Sequence, residues 1–192
     1  IAVSASAQTV EESKTFDNIY VGVNGGVATK TTKNDGVKGS LKTLDPNAGI
    51  RVGRWFTPVF GLAVESNAYF SNKPWKSTGT FVRFLNTSLL GTVNLSNWFG
   101  GYKGEPRTFE VIAVGGIGWG HLFGNTKQYK AAKWHNNFTS KLGLDFAFNL
   151  GADKAWQIYV EPAIIYGLND KTNSPYHLGN DVIQYNVNHS FV

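Results

Sequence analysis

Residues 138–150 read Phe-Thr-Ser-Lys-Leu-Gly-Leu-Asp-Phe-Ala-Phe-Asn-Leu. Ser140, Leu142, Leu144, Phe146, Phe148 and Leu150 share one parity; Thr139, Lys141, Gly143, Asp145, Ala147 and Asn149 share the other. A β-strand sends alternate side chains to opposite faces, so this segment has one oily face and one polar face. The polar face carries both a cation and an anion. In a soluble barrel or sandwich the oily face would be the core. In a barrel spanning an outer membrane the oily face meets lipid and the polar face lines the lumen.

The same period recurs along the chain. Alternating segments are expected at 18–29, 47–56, 59–70, 80–97, 107–121, 138–150, 156–166 and 181–192. Polar or lysine-rich stretches at 30–43, 71–79, 122–136 and 169–180 form the long connections. Thr57-Pro58, the Gly-rich 98–106 and 151–154 form the short ones, Pro fixing φ and ending ladder pairing. Eight strands with alternating long and short connections predict an all-β, transmembrane up-and-down antiparallel barrel, with long outer loops and short periplasmic turns.

Composition narrows the choice. Charged residues are only 16%, against roughly 25% in soluble domains. No apolar run reaches the roughly 18 residues of a membrane helix, so a membrane role must use strands. With no Cys, disulfides, thiolate nucleophiles and Cys-based metal sites are excluded. The formal charge of +5 gathers in the connections, which argues against a nucleic-acid stripe. Ala5-Ser6-Ala7 is a small-x-small site of the kind that ends a secretory signal peptide. The alternative is a small-residue terminus without that role. The organisation expected is a signal remnant at 1–7, a flexible lead-in at 8–16 and the barrel at 17–192.

The polar parity holds Arg51, Glu65, Glu110, Lys141, Asp145 and Glu161 in mid-strand. A basic residue at the lipid midplane costs about 2–4 kcal/mol, so in a membrane barrel all six must point inward. The rest of that face is Gly, Ala, Ser and Asn, whereas a solvated surface would carry more Lys and Glu. Rings recur on the oily face near strand ends, at Phe60, Phe70, Phe109, Trp119, Trp156, Tyr166 and Phe191, as suits two membrane interfaces. Eight strands enclose a lumen that side chains just fill, so its charges need partners. We expect an ion-pair network with Arg51 and Lys141 as cations and Glu65, Glu110, Asp145 and Glu161 as anions. The anions outnumber the cations, which leaves one carboxylate protonated or linked to water. Pro162 cannot donate to a ladder and suggests a bulge. His189 falls on the lipid parity.

The segments Tyr20-Val-Gly-Val-Asn-Gly-Gly26, Asn47-Ala-Gly-Ile-Arg-Val-Gly53, Gly61-Leu-Ala-Val-Glu65 and Val114-Gly-Gly-Ile-Gly-Trp119 resemble strands of the N-terminal barrel of the OmpA-like outer-membrane protein family. The resemblance covers about residues 17–192, and related small barrels share its motifs. It implies an eight-stranded barrel with lumenal ion pairs, to which Arg51, Glu65, Glu110 and Lys141 correspond by face and strand. It also implies a periplasmic domain that grips peptidoglycan; that domain is not in this sequence, which reads as the barrel portion alone.

The expected function is a structural outer-membrane barrel anchoring a Gram-negative envelope, small or transient conduction being a role the fold allows. Its partners would be outer-membrane lipid and other envelope proteins, without cofactor, metal or nucleic acid. A barrel enzyme acting on lipid or protein would need a nucleophile, base and acid in reach. His121, His135, His177 and His189 are the candidate bases, and no Ser-His-acid spacing stands out. A soluble lipocalin-type barrel would need an apolar interior. Lys33, Lys38, Lys42, Lys73, Lys76, Lys127, Lys130 and Lys133 lie in the outer connections. They could contact the phosphates of lipopolysaccharide or serve simply as solvated loop lysines.

Overall fold

The computed structural model describes residues 18–30, 45–70, 80–123, 136–151, 154, 156–168 and 181–191. The segments 1–7 and 8–16, the eight loop lysines, His135 and His177 lie outside the described residues.

Eight strands follow one another around a closed barrel, each antiparallel to its neighbours. They are β1 (Ile19–Lys30), β2 (Asp45–Trp55), β3 (Phe60–Phe70), β4 (Val82–Asn94), β5 (Phe109–Leu122), β6 (Asn136–Leu150), β7 (Trp156–Gly167) and β8 (Asp181–Phe191). β1 pairs with β8, from Val21 opposite Phe191 to Lys30 opposite Val182, and this closes the sheet. Closure leaves no unpaired edge, which is what lets a sheet sit in hydrocarbon.

The short connections are built by side chains that satisfy backbone donors. Thr57 Oγ1 accepts from the amides of Val59 at 3.2 Å and Phe60 at 2.8 Å, closing the turn between β2 and β3. The fourth strand is shorter than the 80–97 expected. It ends at Asn94, and Leu95, expected on the strand's oily face, opens a helix, α1 (Leu95–Gly100). Asn94 causes the break, because its Oδ1 accepts from the Asn97 amide at 3.0 Å and caps the helix. Asn97 Nδ2 in turn donates to the Pro58 carbonyl at 2.9 Å, tying α1 to the neighbouring turn.

Pro162 makes no bulge. The β6–β7 register is the same on both sides of it, Gly143 facing Ala163 and Phe146 facing Val160. Pairing lapses there without a slip, which is how a missing donor is absorbed when the flanking pairs hold. Among the described residues the register shifts between Tyr69 and Phe70, on β3 against β4.

The barrel is inside out relative to a soluble protein. Leu142 is 57% exposed and its neighbour Lys141 is 0% exposed. Along β2, β3, β5, β6 and β7 the exposed residues include Ile50, Val52, Leu62, Val64, Ile117, Leu144 and Val160, while Arg51, Glu65, Glu110, Asp145 and Glu161 are buried. His189 faces Val23 and Ile158 in the ladders, and Val23 is exposed, so its register follows the lipid parity.

Rings mark both rims of the exposed band. Phe60 and Phe70, Phe109 and Trp119, Phe138 and Phe148, and Trp156 and Tyr166 are each ten positions apart on one strand. Ten residues at about 3.3 Å, tilted about 40°, span roughly 25 Å, the height of an outer-membrane apolar band. The rings touch across strands: Phe60 meets Trp98 of α1 edge-on at 5.1 Å, and Phe109 lies 5.0 Å from Phe148.

Candidate functional site

The interior is stacked in three layers. Toward the short connections lies an apolar cluster that includes Tyr20, Trp55, Leu90, Ile112 and Tyr159. Toward the long loops lies a second, with Tyr69, Phe84, Leu122 and Ile165. Phe84 and Leu90 belong to the otherwise polar parity of β4, and they face inward where the lumen needs volume rather than charge.

Between the two layers sit the charges. Arg51 on β2 and Glu65 on β3 are direct ladder partners. Arg51 Nε donates to Glu65 Oε2 at 2.7 Å and Nη1 donates to Asp145 Oδ2 at 2.9 Å. Nη2 reaches Glu65 and Glu161. Lys141 Nζ donates to Glu65 Oε1 and makes an ion contact of 2.6 Å with Glu161 Oε1. Asn67 Nδ2 adds a donor to Glu65 Oε1 at 2.6 Å. The Arg51 guanidinium also lies 5.3 Å from the Tyr159 ring centroid, a cation–π contact in dry surroundings.

The arrangement follows from charge chemistry in a narrow lumen. A guanidinium presents several donors in a fixed plane, so one Arg can meet three carboxylates at once. Lys141 closes the figure by joining Glu65 to Glu161, so each of those glutamates touches both cations. Two cations thus stand against three carboxylates. Removing water raises the cost of any unpaired charge, and close pairing offsets that cost.

Glu110 does not join the cluster. It pairs with Ala147, whereas Lys141 faces Gly116 on the same strand pair. Six residues of strand separate the two positions, roughly 20 Å. Glu110 Oε2 instead accepts from Asn149 Nδ2 at 3.1 Å, and Asn149 Oδ1 accepts from Gln157 at 2.8 Å. Parity reads the face of a residue but not its depth. Two further polar groups lie apart from the cluster, and one of them, Arg83, shares the oily parity of Leu85 and Leu89, so that parity alone would turn it toward lipid. Arg83 Nη1 meets Asp45 Oδ2 at 2.7 Å toward the long-loop end. Thr139, Asn86 and Ser88 form a neutral hydrogen-bonded chain with links of 2.7 and 2.9 Å.

No protein-family model and no curated protein sequence matches the chain. Solved structures do. Neisserial surface protein A (NspA) superposes with a TM-score of 0.64 at 8% identity, covering 91% of this chain and 97% of its own. The N-terminal β-barrel domain of Pseudomonas aeruginosa OprF gives 0.57 at 10% identity, covering 90% and 96%. The fold is that of an outer-membrane β-barrel. The OmpA-like barrel expected from the strand motifs fits this outer-membrane fold. Its apolar outer band is the part that lipid covers.

His121 illustrates what the outer-membrane barrel does with a candidate base. Its ring stacks on Trp119 at 5.6 Å, meets Phe123 edge-on at 4.7 Å, and its Nδ1 bonds Asn136 Oδ1 at 2.6 Å. These contacts place it in the aromatic rim rather than beside an acid. Among the described residues there is no cluster of His, Asp and Glu able to hold a metal ion.

Proposed function

We infer that this chain is a structural outer-membrane protein, an OmpA-like barrel that anchors in the envelope, and not an enzyme. The observation that carries the reading is the filled lumen. Arg51, Glu65, Lys141 and Glu161 are each at most 1% exposed, and apolar layers stand on either side of them. At the level of this cluster the described side chains fill the space that a lumenal substrate would need. Among the described residues the middle of the lumen is occupied by buried charged side chains, unlike the apolar interior that a lipocalin-type carrier needs. The cluster supplies cohesion: four strands, β2, β3, β6 and β7, send charges to one point and are held together across the barrel.

A small or transient pore remains compatible with this arrangement, provided Arg51 or Lys141 exchanges partners. Single-channel recording in planar bilayers tests the reading. The filled lumen gives long closed periods with brief openings at most; steady ohmic conductance would contradict it.

The loop lysines, if they meet lipopolysaccharide phosphates, should matter together. Replacing Lys33, Lys38, Lys42, Lys73, Lys76, Lys127, Lys130 and Lys133 with Gln should weaken co-purification with lipopolysaccharide; unchanged association rejects that contact.

A further inference from the structure

β2 carries one basic residue on each face. Arg51 points into the lumen. Arg54 shares the outward parity of Val52 and Phe56, both exposed. In the ladders Arg54 stands opposite Ile19 on β1 and Leu62 on β3. Trp55 faces Gly61, so Phe56 lies level with Phe60 in the ring belt at the short-connection end. Arg54 is one outward position deeper, at the edge of the hydrocarbon. Its side chain turns back toward the belt, with Cζ 5.7 Å from the Phe56 ring centroid. Long cationic side chains snorkel in this way when their roots lie in an apolar layer.

The guanidinium has no acceptor among the described residues, and its Nε is enclosed without a partner. Beside it the outer wall has a groove of about 270 Å³, lined by Ile19, Val52, Leu62, Val64 and Leu89, with Arg54 at its edge. A ligand for this place must bring an anion at interface depth and an apolar chain that continues into the band.

We propose that Arg54 and this groove bind one glycerophospholipid of the periplasmic leaflet. The phosphate diester accepts from the guanidinium, and an acyl chain lies along Val52, Leu62, Val64 and Leu89. A guanidinium fork matches two phosphate oxygens, and the lipid fixes its phosphate at the end of an apolar chain, as the geometry requires. The leaflet follows from orientation, because short connections face the periplasm in barrels of this kind. The inference rests on the membrane-barrel reading.

Native mass spectrometry of the full chain released from detergent micelles tests it. The micelles carry either phosphatidylglycerol or diacylglycerol with the same acyl chains. The wild type should retain one phosphatidylglycerol and no diacylglycerol. Arg54→Gln should reduce retention about tenfold or more, the usual worth of a charge-assisted bond, with Arg54→Lys in between. Leu62→Trp, which fills the groove and keeps the cation, should also reduce it. Inorganic phosphate at the lipid's concentration should leave the lipid in place. Equal retention by wild type and Arg54→Gln, equal retention of diacylglycerol, or displacement by inorganic phosphate would each overturn the proposal. Heat-modifiable mobility and vesicle insertion, measured on the same samples, separate the two readings. A wild type that inserts but ignores Arg54 sinks the lipid site alone; a wild type that does not insert sinks the membrane barrel and the lipid site with it.

Discussion

Arg51 and Glu65 face each other across the β2–β3 ladder, and Nε to Oε2 spans 2.7 Å inside a wall whose outer side is Val52 and Val64. The same guanidinium reaches Asp145 on β6 and Glu161 on β7, so one side chain links strands on opposite sides of the lumen. Arg51→Ala should therefore leave three carboxylates short of their main partner. Removing one member of a buried ionic group costs about 3–5 kcal/mol. Urea unfolding in lipid vesicles should show a loss of that order; an unchanged midpoint would rule out a stabilising role for the cluster.

Lys141 joins Glu65 to Glu161, and among the described residues these two carboxylates are its ion-pair contacts. Lys141→Met should destabilise by a similar amount, about 3–5 kcal/mol. Adding Glu65→Gln to that variant removes one of the stranded carboxylates, so the double variant should be less destabilised than the two single losses added together. Simple additivity in the same urea titration would show that the residues do not act as one group.

The lipid face makes a depth-dependent prediction. Leu144, 40% exposed, lies between the rings of Phe138 and Phe148, near the middle of the band. Leu144→Arg should cost about 2–4 kcal/mol, whereas Leu150→Arg, beyond the Phe148 ring, should cost about 0–1 kcal/mol. Equal effects on unfolding in vesicles would mean that the band is not where the rings place it.

Two glycines on facing strands should respond differently to the same substitution. A Cβ at Gly116 would run into the Leu89 carbonyl oxygen, which is backbone and cannot swing aside. A Cβ at Gly91 would meet nothing nearer than the Gly115 oxygen at 3.6 Å. Gly116→Ala should destabilise by about 1–3 kcal/mol, as overpacking does. Gly91→Ala should leave the unfolding midpoint within experimental scatter. The reverse order would contradict the register between β4 and β5.

Most of the wall was legible in the sequence, because a period of two needs no tertiary context. The oily parity of 138–150 is enough to place Leu142 outside and Lys141 inside. Depth was less legible. Glu110 has the right parity and the wrong level, and only ladder register distinguishes it from Asp145. Asn94 ended a strand that hydrophobic alternation alone would extend through Leu95, since a cap acts through one local hydrogen bond that periodicity does not weigh. Arg54 is illegible for a related reason: a single cation near a strand end looks like solvent-exposed charge until Phe56 and Phe60 mark the interface beside it. Pro162 erred the other way, because its missing donor was absorbed without a register slip.

The inside-out wall is tested most directly by a nitroxide scan of residues 138–150 in lipid vesicles, which the absence of native Cys makes clean. Each position is changed singly to Cys, labelled, and its accessibility to oxygen, which concentrates in hydrocarbon, is measured by electron paramagnetic resonance. The structure predicts a period of two with maxima at 142, 144, 146 and 148 and minima at 139, 143, 145 and 147. Maxima on the odd positions, or no alternation, would contradict it.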